Sequence, residues 1–166
     1  MISGMSTSTF TSLHVVLSLI GIFSGAVVLF DLLGGRSRPG WTAVFLATTV
    51  LTSVTGFFFH SASFGPPHVI GVVSLVVLAV ALLALYVYRL AGYWRWLYVG
   101  GAVLALYLNV FVGVVQAFQK LPFLQRLAPT QSEPPFLVTQ LVVMAIFVAL
   151  GVVAARRFHP GTTAPA

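Results

Sequence analysis

The side chains able to do chemistry in this chain are few and unevenly placed. Three of its four histidines, His14, His60 and His68, each lie beside the end of a long apolar run. Histidines at matching depth on neighbouring helices could ligate a metal, or a haem iron if two faced each other across a bundle. The competing reading is an ordinary polar helix end. No HxxxH or HxxE pair fixes two ligands on one helix, and His159 falls in the C-terminal tail.

The two acidic residues have separate settings. Asp31 shortly precedes Arg36 and Arg38. Because an ionised carboxylate is costly in lipid, it should pair with one of these arginines or face a bundle interior. Glu133 closes Thr130-Gln131-Ser132-Glu133 ahead of Pro134 and Pro135, a capping arrangement for the next helix, with Gln140 further inside it. Gln131, Glu133 and Phe136 make this stretch a candidate lid or partner-docking loop.

A further polar pattern runs through Gly101, Ala105, Asn109, Gly113, Gln116 and Lys120, which recur every three or four residues and so share one helix face. Small residues allow close helix contact, and Asn or Gln can bond across it. The face therefore reads as a helix–helix seam, or as a polar pocket for a quinone-like or lipid-like ligand opening at Gln116. Thr48, Thr49, Thr52, Ser53, Thr55 and Gly56 form a complementary small, hydroxyl-rich stretch. Such hydroxyls can bond the preceding turn and need no ligand. Gly21 and Gly25 have GxxxG spacing and read as a packing surface.

The elements that position these residues follow from composition. Of 166 residues, 59% are hydrophobic and 6% charged, with mean hydropathy +1.06. A water-soluble domain carries roughly 25% charged residues, so lipid must solvate most of this exterior. Five apolar segments, at about 14–33, 41–59, 68–90, 96–118 and 136–155, are each long enough to cross ~30 Å of hydrocarbon as helices. The expected fold is an all-α integral membrane bundle of about five transmembrane helices, one domain over residues 12–157. Residues 1–11 and 158–166 read as short disordered tails. The first segment reads as a retained helix, since the residues before it carry no positive charge.

Orientation follows from basic residues in alternate connections. Arg36, Arg38, Arg89, Arg95, Arg156 and Arg157 fall on one side, Lys120 and Arg126 on the other. The N-terminus should then be outside and the C-terminus cytoplasmic. The +6 formal charge is explained by this placement, which leaves no case for nucleic-acid binding. The long connection between residues 119 and 135 holds Leu121, Phe123, Leu124 and Leu127, too apolar for a free loop, and reads as a short amphipathic turn on the membrane surface.

The stretches Thr52-Ser53-Val54-Thr55-Gly56-Phe57-Phe58-Phe59 and Leu127-Ala128-Pro129-Thr130-Gln131-Ser132-Glu133-Pro134-Pro135-Phe136 resemble those of a group of small bacterial multi-pass membrane proteins. The resemblance covers the membrane region and implies a bacterial cytoplasmic (inner) membrane. It carries no activity and no catalytic residue, and it associates a proline with the position of His60, against a ligand role there.

There is no cysteine, no phosphate-binding glycine loop, no metalloprotease motif and no pair of acids for carboxylate catalysis. The leading expectation is a non-catalytic accessory or structural subunit without a cofactor, working through helix–helix and outer-loop contacts with other membrane proteins or with itself. One alternative is a membrane redox protein binding haem, a metal or a quinone through His14, His60 and His68 with the Asn109–Gln116 face. Another is a small oligomeric carrier or channel with Asp31 or Asn109 on a water-filled path.

Overall fold

The computed structural model describes residues 4–59 and 63–160. His60 therefore lies outside the described residues. Six α-helices follow in order: α1 (Thr7–Leu33), α2 (Pro39–Gly56), α3 (Pro66–Leu82), α4 (Trp94–Lys120), α5 (Pro122–Leu127) and α6 (Pro134–Arg157). A π-helical turn, Leu83–Val87, extends α3. The described residues form an all-α bundle.

Four helical stretches are long and apolar enough to cross a bilayer: Thr7–Leu33, Pro66–Val87, Trp94–Lys120 and Pro134–Arg157. Sequence reading expects about five, and the difference is α2. It has only 18 residues, and six of them, Thr42, Thr48, Thr49, Thr52, Ser53 and Thr55, carry hydroxyls that dilute its hydropathy. Even so, α2 runs antiparallel along most of α1. The Arg38 guanidinium donates to the Asp31 carboxylate at 2.8 Å at one end, and His14 meets Thr55 at the other.

α1 begins at Thr7, well before His14. Ser6 caps it by accepting from the Thr9 N–H, and Thr11 donates back to the Thr7 carbonyl. These bonds make a polar stretch helical without any apolar signal. Prolines open α2, α3, α5 and α6, where a missing N–H costs nothing.

The helices alternate in direction and gather six of the seven arginines at one end. There Arg95 donates to the Ala155 and Phe158 carbonyls at the C-terminus of α6, and Arg157 reaches the Leu33 carbonyl of α1. A cation is well placed at such an end because the helix dipole leaves it negative. Asp31, 3% exposed, is neutralised by Arg38. The core fills this half of the bundle with Leu32, Phe45, Leu46, Leu78, Tyr98, Val99, Leu106 and Phe158. Lipid tails are as apolar as these side chains, so close packing rather than water exclusion joins the helices. Gly25 shows how close: a Cβ there would lie 2.6 Å from Leu106 Cδ1 and 2.8 Å from the Phe45 ring.

Candidate functional site

Above this packed half the bundle opens. A cavity of 740 Å³ lies between α1, α2, α3 and α4, within the ~300–1,000 Å³ range of small-molecule sites. Its lining is mostly apolar and includes Ile22, Leu108, Val112, Phe57, Phe59 and Ile70. Along α4 it extends from Lys120 to Asn109, about 16 Å at 1.5 Å per residue, or roughly half the hydrocarbon thickness.

The polar face of α4 divides along its length. Gly101 packs on α3, where a Cβ would lie 3.2 Å from that of Ala81, and Ala105 is fully buried. This part is a seam. Asn109, Gly113, Gln116 and Lys120 line the cavity instead. Asn109 marks the junction: its amide donates to the Thr49 hydroxyl of α2 at 3.1 Å and lies close to Gly21 of α1.

Hydroxyl chemistry changes at the same level. Ser18, Ser24, Thr42, Thr48, Thr55 and Thr139 each donate to the carbonyl four residues back, as expected of hydroxyls in an apolar medium. Thr52, Ser53 and Ser74 do not, and all three line the cavity. The Thr52 hydroxyl oxygen is buried without a partner among the described residues, and Ser53 and Ser74 make no hydrogen bond there either. A polar group buried without a partner is costly, so the Thr52 hydroxyl on the wall of this cavity calls for water or a ligand.

His14 and His68 also line the cavity. His14 Nδ1 lies 2.8 Å from the Thr55 hydroxyl, whose own proton goes to the Leu51 carbonyl. In the tautomer that donates from Nδ1 to Thr55, with the Thr55 proton on the Leu51 carbonyl, Nε2 is left with a lone pair. The ring rests edge-on against Phe59, and Lys120 is within electrostatic reach. Such a nitrogen, with Nδ1 held by an outer hydrogen bond, could accept a proton donor or ligate a metal.

His68 differs. Its Nδ1 accepts from the Gly65 N–H at 3.2 Å while its own N–H donates to the Gly65 carbonyl, a reciprocal cap on α3. The ring stacks on Phe64. The neutral imidazole therefore carries its proton on Nε2 and could become a metal ligand only by giving up the cap. Among the described residues no three His, Cys, Asp or Glu side chains come close enough together to hold a metal ion.

Asp31 lies in the packed half, separated from the cavity by Phe45, Leu46 and Leu106. The structure does not bring it together with Asn109. Gln116 and Lys120 are exposed at the mouth, and Lys120 makes no hydrogen bond or ion pair among the described residues.

The outer connection holds its shape internally. Phe136 is buried edge-on against Phe118, with Ala128 beside them. Gln131, at a φ of 55°, donates from its side chain to the Ala128 and Pro129 carbonyls. The Glu133 carboxylate accepts from the N–H groups of Thr130 and Ser132 and from the Thr130 hydroxyl. Desolvation pushes this carboxyl up, but those hydrogen bonds outweigh it and hold Glu133 below the usual carboxylate range. On α6, Gln140 donates to the Phe111 carbonyl of α4.

The cavity hydroxyls were legible in the sequence only as residues that could satisfy themselves. Which of them do not depends on where α1 and α4 diverge. Comparison of the chain with protein-family models, curated proteins and solved structures finds no match.

Proposed function

We propose that this membrane protein receives a small amphipathic molecule in the cavity between α1 and α4. The observation that carries the reading is the buried Thr52 hydroxyl, without a partner among the described residues, with Ser53 and Ser74 also on the wall of a mostly apolar space of 740 Å³. Basic residues mark the packed end, so the mouth opens to the outer face, with the N-terminus outside and the C-terminus in the cytoplasm. The resemblance in the sequence supports a bacterial inner membrane as the setting.

The test fills the space. A Cβ on Gly113 would meet only Ile22 Cδ1, at 3.7 Å, so Gly113→Phe places a ring in the cavity. Native mass spectrometry of the protein in lipid nanodiscs should show a bound amphiphile in the parent and none in this variant. Equal occupancy in both would overturn the reading.

The accessory-subunit reading stands second, favoured by the outer connection. Leu121, Phe123 and Leu127 are exposed there, on a segment whose shape is held by buried Phe118, Ala128 and Phe136. Crosslinking in native membranes should then capture a stoichiometric partner or a second copy of the chain. A strictly monomeric, partnerless protein would count against it.

A further inference from the structure

The cavity presents hydrogen-bonding groups at two depths. At the floor is the Asn109 amide, beside Gly21 and bonded to Thr49, with the hydroxyls of Thr52, Ser53 and Ser74 on the walls. Two turns nearer the mouth is His14, whose Nε2 is an acceptor without a partner among the described residues. From Gly21 to His14 is seven residues of α1, about 10.5 Å at 1.5 Å per residue. A hydrogen bond of ~2.8 Å at each end leaves roughly 5 Å between two ligand oxygens. That is the span across a six-membered ring bearing oxygens at opposite corners. Phe57 and Phe59 line the same space and offer aromatic surface to such a ring.

Resting on the cavity reading above, we propose that the ligand is a para-dihydroxy aromatic, a quinol, seated between His14 and the Asn109 floor. One hydroxyl donates to His14 Nε2. The other meets the Asn109 amide and the neighbouring hydroxyls, which can each donate or accept. The quinone form has no proton to give His14 and binds more weakly. A single-headed chain lipid would engage one depth and leave the other unsatisfied. The tail of the quinol leaves between helices toward lipid, and Lys120 and Gln116 stay with the headgroups at the mouth.

The test uses the whole chain in mild detergent, kept anaerobic, and four probes: a decyl-substituted benzoquinol, its quinone, its dimethyl ether and dodecanol. Calorimetry should show the quinol binding about tenfold tighter than the ether, the ratio expected from one hydrogen bond. His14→Phe should reduce that ratio toward one at unchanged ether affinity, and Asn109→Leu, which removes a donor that both probes accept from, should weaken both by a similar factor. Equal binding of quinol and ether, or a preference that survives His14→Phe, overturns the quinol assignment. Binding of dodecanol with no preference among the ring probes overturns it too but leaves the cavity reading standing. If no amphiphile enters, both fall.

Discussion

Two glycines on neighbouring helices should respond oppositely to the same methyl group. At Gly25 the added Cβ would lie 2.6 Å from Leu106 Cδ1 and 2.8 and 2.9 Å from atoms of the Phe45 ring. Comfortable carbon–carbon contact begins near ~3.5 Å. Leu106 and Phe45 are 2% and 1% exposed, so neither can withdraw into open space. Overpacking of this kind costs ~1–3 kcal/mol. Alanine recovers up to ~1 kcal/mol through its better helix propensity. Gly25→Ala should therefore lose about 1–2 kcal/mol. At Gly113 the methyl meets Ile22 Cδ1 at 3.7 Å, an ordinary contact at the cavity wall. Gly113→Ala should keep most of the propensity gain, about 0.5–1 kcal/mol. The two variants should thus differ by roughly 1.5–3 kcal/mol, or about ten- to a hundred-and-fiftyfold in the unfolding equilibrium. Reversible unfolding in mixed micelles, with SDS as denaturant and far-UV circular dichroism as readout, measures the difference. A neutral or stabilising Gly25→Ala, or a Gly113→Ala that loses more, would refute the division into a packed half and an open one.

Three further outcomes follow from the same geometry. The chain has no cysteine, so single-cysteine variants can be labelled cleanly. A water-soluble maleimide should reach Ser53→Cys and Ser74→Cys from the mouth side but not the fully buried Ser24→Cys, and uniform protection of all three would show a closed bundle. Arg38→Ala should lower the SDS midpoint by stranding the buried Asp31 carboxylate, and adding Asp31→Leu should restore part of the loss. No restoration in the double variant would mean that the pair is not coupled. Finally, the Glu133 carboxyl is held below its unfolded value, so its stabilisation of the outer connection is present above that value and disappears as pH falls through the folded one. Hydrogen-exchange protection at residues 128–133, taken relative to the intrinsic rate at each pH, should fall below about pH 4.5 and lose this dependence in Glu133→Gln, while a parent with no acid-dependent change in protection contradicts the account.

Much of the fold was legible because lipid imposes a narrow rule: spanning helices must be long, apolar and internally hydrogen-bonded. α3 with its π-helical turn, α4 and α6 obey it. α2 obeys it least, because its hydroxyls turn toward α1, α4 and the cavity, where composition no longer tracks lipid exposure. Thr42 and Thr49 are buried, Thr49 receives the Asn109 amide, and Thr52 and Ser53 face the cavity. The start of α1 was hidden for a different reason, since Ser6 and Thr11 extend that helix with polar bonds. Asp31 could be expected to meet an arginine. That it is Arg38 depends on the turn, where Gly35 takes a φ of 69° and the Arg36 N–H closes onto the Asp31 carbonyl.

The site was half legible for a reason that lies between helices. Periodicity puts Gly101, Ala105, Asn109, Gly113, Gln116 and Lys120 on one face of α4, but it carries no information about what stands opposite each of them. Gly25 on α1 faces Leu106 and Phe45, large side chains that fill the space its missing Cβ leaves, and the helices close. Gly113 faces only the tip of Ile22. At the positions nearer the mouth α1 presents Ser18, Val15 and His14 to the same space, and the gap is wider than these side chains fill. One continuous stripe therefore becomes a seam below Asn109 and a cavity wall above it. In the proposed reading the polar residues gathered at that transition serve a ligand, because packing alone would have been served as well by alanine.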